Sequence, residues 1–348
     1  MKKAFSILFC FLLLAGCFSA CSAGGPSEKD SKKIKIVTTI FPEYDWIMNI
    51  LGDNPAGAEV LLLQDNGVDL HSFQPTAADI MNISTCDLFI YIGGESDDWV
   101  EEVLHKVAKK DLLTLNLLES LGSAVKEEEV MEGMEAEDHE HEGAEHDEDD
   151  EHKQESDEHD EKGEHEHEEK EYDEHVWLSL KNAAALVKSI SEAIEKTDPA
   201  NAAAYQKNAA AYIEKLNKLD EDYRQALAGA SYNTLLFGDR FPFRYLVDDY
   251  GLSYFAAFSG CSTETEASFK TITFLSQKLE ELSLPAVMTL EGSNHKIAEA
   301  VIKNTASKNY QILTLDSMQG TTAADVKHGA SYLSIMEKNL SVLKEALR

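Results

Sequence analysis

An alternation that runs twice along the chain restricts its fold more than any other feature. Short aliphatic, β-branched stretches of strand length are separated by longer stretches with helical spacing. In the first round strands are expected at 34–40, 59–63, 88–92 and 112–117, with helices at 44–51, 77–84 and 97–108. In the second round strands are expected at 234–237, 254–258, 286–290 and 311–315, with helices at 243–250, 269–282, 296–304 and 332–347. Strands separated by helices of this size imply parallel βαβ units. Between the rounds, Asp198-Pro199 supplies a helix start, and no breaker follows until about Leu227. Tyr205, Ala209, Tyr212, Leu216, Leu219, Tyr223 and Leu227 fall on one face at 3-and-4 spacing, a packing stripe rather than a ligand site. Roughly thirty residues at about 1.5 Å each make a rod near 45 Å. The expected fold is α/β, with two lobes, each a mostly parallel sheet flanked by helices, joined by one long rigid helix. The first lobe spans 34–180, a helical linker 181–230 and the second lobe 231–348.

One segment interrupts the first lobe. Residues 127–171 hold 25 acidic and 3 basic side chains, which is 22 of the chain's 33 net negative charges. The whole balance, 64 Asp+Glu against 31 Lys+Arg, excludes nucleic acid and anionic membrane surfaces as partners. With almost nothing apolar to collapse, the segment is expected to be disordered. Its seven histidines, His139, His141, His146, His152, His159, His165 and His167, are interleaved with carboxylates and suit loose capture of divalent metal. Each such site is weak, because a flexible chain must be ordered to form it. A tight site must lie elsewhere.

The amino terminus reads as an export signal over 1–16: a cationic start and an apolar run too short to span a bilayer. It ends in Leu14-Ala15-Gly16-Cys17, which resembles a bacterial lipobox and implies lipid on Cys17, with Cys21 a poorer second candidate. A diacylated cysteine anchors stably, and residues 17–33 suit a tether. Cys86 and Cys261 are expected to be buried free thiols rather than a bridge.

Ligands in open parallel sheets sit beyond the carboxyl ends of the strands. His71, Asp239, Glu291 and Asp316 fall there, and His175 sits where the acidic tract rejoins the fold. Two neutral imidazoles with carboxylates suit zinc, while added oxygen ligands move the preference toward manganese. His105 and His328 read as surface residues.

The stretches Val68-Asp69-Leu70-His71-Ser72-Phe73-Gln74-Pro75-Thr76, Asp173-Glu174-His175-Val176-Trp177-Leu178-Ser179 and Ile312-Leu313-Thr314-Leu315-Asp316-Ser317 resemble those of the zinc and manganese solute-binding lipoproteins that feed ABC importers. The resemblance covers the chain from about Lys33 and includes the acidic histidine loop, a mark of the zinc members. It implies metal in a cleft between two lobes, held by His71 and His175 from the first and Asp316 from the second. It also implies delivery of Zn2+, or alternatively Mn2+, to an ABC permease and its ATPase. No bond chemistry is implied, and the protein is expected to be a monomer held outside the cytoplasm by its lipid. The chain departs from the pattern at Arg240, which occupies the remaining ligand position although arginine cannot be deprotonated to bind metal. Glu291 is the first substitute, either as ligand or as a salt bridge to Arg240; Asp239, His295 or water follow, and Glu43 is a candidate outer carboxylate. Other functions consistent with such a site are a surface metal buffer or adhesin and a zinc hydrolase. Against the hydrolase, the sequence carries no His-Glu-x-x-His helix or Gly-x-Ser-x-Gly elbow.

Overall fold

The computed structural model describes residues 33–135, 171–262 and 266–348. The export signal, Cys17, the tether up to residue 32 and the seven tract histidines lie outside the described residues. Residues Ile34–Arg348 pack as one compact unit.

The chain order is β1 (Lys35–Thr38), α1 (Phe41–Leu51), β2 (Glu59–Leu62), α2 (Ala77–Thr85), β3 (Leu88–Tyr91), α3 (Asp98–Lys106), β4 (Leu113–Asn116) and α4 (Leu117–Leu121). Then come α5 (Leu180–Thr197), α6 (Ala202–Leu227), β5 (Thr234–Arg240), α7 (Arg244–Tyr250), β6 (Ser253–Phe258) and α8 (Phe269–Glu281). The last elements are β7 (Ala286–Leu290), α9 (Lys296–Asn304), β8 (Gln311–Leu315), α10 (Ala323–Lys327) and α11 (Tyr332–Ala346). The strands form two parallel sheets wound in the same sense, β2-β1-β3-β4 and β6-β5-β7-β8. β5 runs on past Phe237, where the apolar run stops, because a bulge lets Arg240 still pair with Phe258. Pro42 falls in the first turn of α1 rather than ahead of it, where its missing N–H costs nothing.

The rod helix α6 buries the seven stripe residues expected of it. At its start Asn208 donates to the Ile50 carbonyl at 3.0 Å and Tyr212 to the Asp45 carboxylate at 2.9 Å, both on α1; near its end Tyr223 donates to the Met336 carbonyl of α11 at 2.6 Å. The helix is therefore bonded to both halves. It does not stand alone, since α5 precedes it and Asp198-Pro199 is the corner between the two. One apolar core runs through both sheets, α5, α6 and α11, and each sheet has a smaller core on its outer face.

Residues 127–135, expected to be disordered, are ordered. Met131 and Met134 pack on the core, Glu129 pairs with Arg244, and the Glu135 N–H donates to the Ala257 carbonyl at 3.0 Å. The few apolar residues in this acidic stretch suffice to dock it. Glu127 and Tyr172 form an antiparallel bridge that closes the base of the segment between them.

Candidate metal centre

His71, Glu43, Glu291, His295 and Asp316 follow the carboxyl ends of strands, His175 lies on the segment entering α5, and Asp239 and Arg240 are the last two residues of β5 itself. His71 sits in a single 3-10 turn, Leu70–Ser72, after β2; Asp69 caps the turn by accepting the His71 backbone N–H at 3.1 Å. The His71 Nδ1 lies 2.7 Å from the hydroxyl of Ser96, which follows β3. His175 is fully buried, and Asp173 Oδ1 accepts both its backbone N–H at 2.8 Å and its Nδ1–H at 2.9 Å. Both rings are thus held by one nitrogen and turned so that the two Nε2 atoms face each other at 3.4 Å. Two nitrogens at about 2.0–2.1 Å from a tetrahedral zinc are separated by about 3.3–3.4 Å. The pair already has that bite. Burial, reinforced by His175 and Arg240, pushes the His71 pKa well below its usual value, keeping the ring neutral and its lone pair available.

Glu174 and Cys261 gather at His71 and were not anticipated from sequence. A ring nitrogen of His71, a carboxylate oxygen of Glu174 and the Cys261 sulfur lie within 4.8 Å of one another. Ser96 N–H donates to Glu174 Oε1 at 2.8 Å, while Oε2 is buried without a hydrogen-bond partner among the described residues, 3.8 Å from His71 Nδ1. Burial raises the Glu174 pKa to about 7. The carboxylate lies over Gly94, where a Cβ would overlap it. Cys261 follows β6 in Ser259-Gly260-Cys261, and Gly260 lets that loop approach: a Cβ there would lie 3.2 Å from the His175 ring. Both free thiols exist as expected, but only Cys86 is buried.

The remaining candidates lie apart. Asp316 and Glu291 line a cavity of about 530 Å³ together with Asp69 and Arg240, and neither histidine is among its lining residues. Glu291 accepts from the Ser317 N–H at 2.7 Å and Ser317 hydroxyl at 2.6 Å, so both its oxygens are engaged, and burial with Asp316 beside it raises its pKa. Asp316 uses Oδ1 to accept the Met318 N–H at 2.9 Å. Arg240 donates to Asp69 Oδ2 at 2.5 Å, so the partner of this cation is Asp69 rather than Glu291. Burial works to raise the Asp69 pKa, but the hydrogen bond and charge of Arg240 outweigh it and hold the group below its usual range. Asp239 accepts the backbone N–H groups of Arg240 at 3.0 Å and Leu290 at 3.2 Å, tying β5 to β7. His295 stands in left-handed backbone at the start of α9. Glu43, expected as an outer carboxylate, turns to its own helix start and accepts the Thr39 and Ile40 N–H groups at 2.9 and 3.2 Å. His105 is exposed beside Glu101 at 3.4 Å, and His328 is exposed as expected.

A family model described as the periplasmic component A of the zinc-uptake complex, ZnuA, matches residues 36–346. The chain belongs to the ZnuA family. Within it, the high-affinity zinc uptake system protein ZnuA of Bacillus subtilis is 31% identical, over 99% of this chain and 96% of that protein. The zinc-binding lipoprotein AdcA of Streptococcus pneumoniae is also 31% identical over 99% of this chain, which spans 61% of AdcA's length. The Zn(II)-bound ZnuA-like domain of that AdcA superposes with a TM-score of 0.65 at 28% identity, covering 90% of this chain and 99% of the domain. The periplasmic zinc-binding protein TroA of Treponema pallidum shares the fold, with a TM-score of 0.68 at 22% identity over 90% of this chain and 99% of that one.

Proposed function

We propose that this chain captures Zn2+ outside the cytoplasm and presents it to an uptake complex, binding cargo without covalent chemistry. The observation that carries the reading is the imidazole pair: Nε2 atoms 3.4 Å apart, each ring tethered through Nδ1. A tethered second nitrogen fixes the tautomer and raises the basicity of the metal-facing one. His71 and His175 are the ligands of the first half. The second half offers two donor sets, the Asp316/Glu291 pair and Cys261.

The names of the relatives favour zinc over manganese and a receiving transporter, which we take to be an ABC permease with its ATPase. Lipid on Cys17 holds the protein at the membrane, and the tract histidines between His139 and His167 act as a loose auxiliary store beside the tight site.

The test is metal retention. Residues 136–170 can be replaced by a flexible link long enough to rejoin Glu135, bonded to Ala257, with Glu171, bonded to Glu128. After chelator dialysis this protein should keep one zinc, and its His71→Ala and His175→Ala forms none. Equal retention by all three would overturn the reading.

A further inference from the structure

The chain carries arginine where the resemblance expects a ligand, and that cation is engaged elsewhere. Arg240 donates to Asp69 and, at 3.2 Å, to the Ser262 carbonyl. Asp69 in turn holds the backbone of His71, so Arg240 positions the His71 turn without touching metal. Its second bond anchors the residue next to Cys261. A donor missing at 240 therefore leaves a neighbouring loop that reaches the histidines.

Resting on the zinc reading, we propose that Cys261 is the ligand through which the second half closes the site, so that zinc is held by His71 and His175 nitrogens, Glu174 oxygen and Cys261 sulfur. Three observations point there. The ligand atoms of His71, Glu174 and Cys261 already cluster within 4.8 Å. Glu174 is 1% exposed, yet its Oε2 has no hydrogen-bond partner among the described residues. An orphaned buried carboxylate oxygen is costly unless a cation or a proton meets it.

The two thiols differ in the same direction. Cys86 donates to the Ile83 carbonyl at 3.1 Å within an apolar core. Cys261 is only partly buried and is set among polar groups: Glu128 accepts its backbone N–H at 3.0 Å. On coordination the thiol proton leaves to solvent and the thiolate binds zinc. Zinc–sulfur and zinc–nitrogen bonds of about 2.3 and 2.0 Å place sulfur and nitrogen about 3.5 Å apart, so loading draws the Cys261 loop inward. A thiolate also favours zinc over manganese, which prefers oxygen.

Cobalt substitution in the full chain tests this. Thiolate ligation gives Co2+ an intense near-ultraviolet charge-transfer band, and the tract at 136–170 has no cysteine to imitate it. Wild type should show the band. Cys261→Ser should lose it and bind zinc at least about a hundredfold more weakly, the upper end of what losing an outer partner costs, with manganese affinity little changed. Cys261→Asp, which keeps an anionic donor should the serine form fold poorly, should bind cobalt without the band. Cobalt-loaded wild type with no band, or Cys261→Ser with wild-type zinc affinity, overturns the proposal. If His175→Ala then still abolishes tight zinc, the zinc reading stands alone; if it does not, that reading falls as well.

Discussion

The imidazole pair and the buried carboxylates of the same clefts stand in contrast. His71 and His175 each spend one nitrogen on a tether and keep the other free, facing its counterpart. Glu291 spends both its oxygens on the Ser317 N–H and hydroxyl, while Glu43 spends Oε2 on Thr38, Thr39 and Ile40 and keeps Oε1 buried without a hydrogen-bond partner among the described residues. His71, Glu291 and Glu43 each follow a parallel strand, and His175 lies on the segment entering α5. A spare lone pair alone does not set the imidazoles apart, since Glu43 keeps one too; two spare nitrogens facing each other at 3.4 Å do.

The contrast breaks most sharply at His175. Structural zinc binding is worth about 10–16 kcal/mol over four ligands, so removing one costs about 3–4 kcal/mol, several hundredfold in affinity. His175→Ala should show that loss in chelator-competition titration. Glu43→Gln should leave zinc binding alone and change stability instead. The Glu43 pKa is raised by burial to about 8, above the usual carboxyl value. Its contribution to stability is therefore complete below about pH 4.5 and is lost as pH rises toward 8, by about 3 kcal/mol at pH 7. Denaturant midpoints for Glu43→Gln across that window should lie flatter than for the parent. Next in size is Asp69→Asn, which frees Arg240 and loosens the His71 turn; about a tenfold loss of zinc affinity is expected, as for an outer partner. Smallest is Glu291→Gln, with less than about a threefold change in zinc affinity and a lower thermal midpoint. A large zinc effect there would restore Glu291 as a ligand and erase the distinction.

Much of this was legible beforehand. Periodicity alone assigned the α6 stripe residue by residue, because a long helix against one core leaves an unambiguous 3.6 pattern. His71 and His175 stood out through the segments around them. Glu174 and Cys261 did not: the contact between them spans both linker helices and the first two strands of the second half, and Ser259-Gly260-Cys261 has no local signature. The nearest usable signal was that Cys261, like His71, Glu291 and Asp316, follows a parallel strand. The partner of Arg240 was equally hidden, since several carboxylates are equally near in sequence logic and only the fold selects Asp69. Glu43 misled because a helix-capping carboxylate and an outer-shell carboxylate look alike in one dimension.

Two residues after His175, Trp177 donates its indole N–H to the Ser317 carbonyl at 2.8 Å, and Tyr332 donates to the Trp177 carbonyl at 2.6 Å. Both bonds are buried and both reach into the second half. His175 is thereby the stationary jaw of the clamp, clasped to the opposite side of the molecule through its own chain. On the proposed reading, unloading falls to the 3-10 turn of His71 and the bend of Cys261, and the cargo departs by unhooking there while the hinge line stays shut.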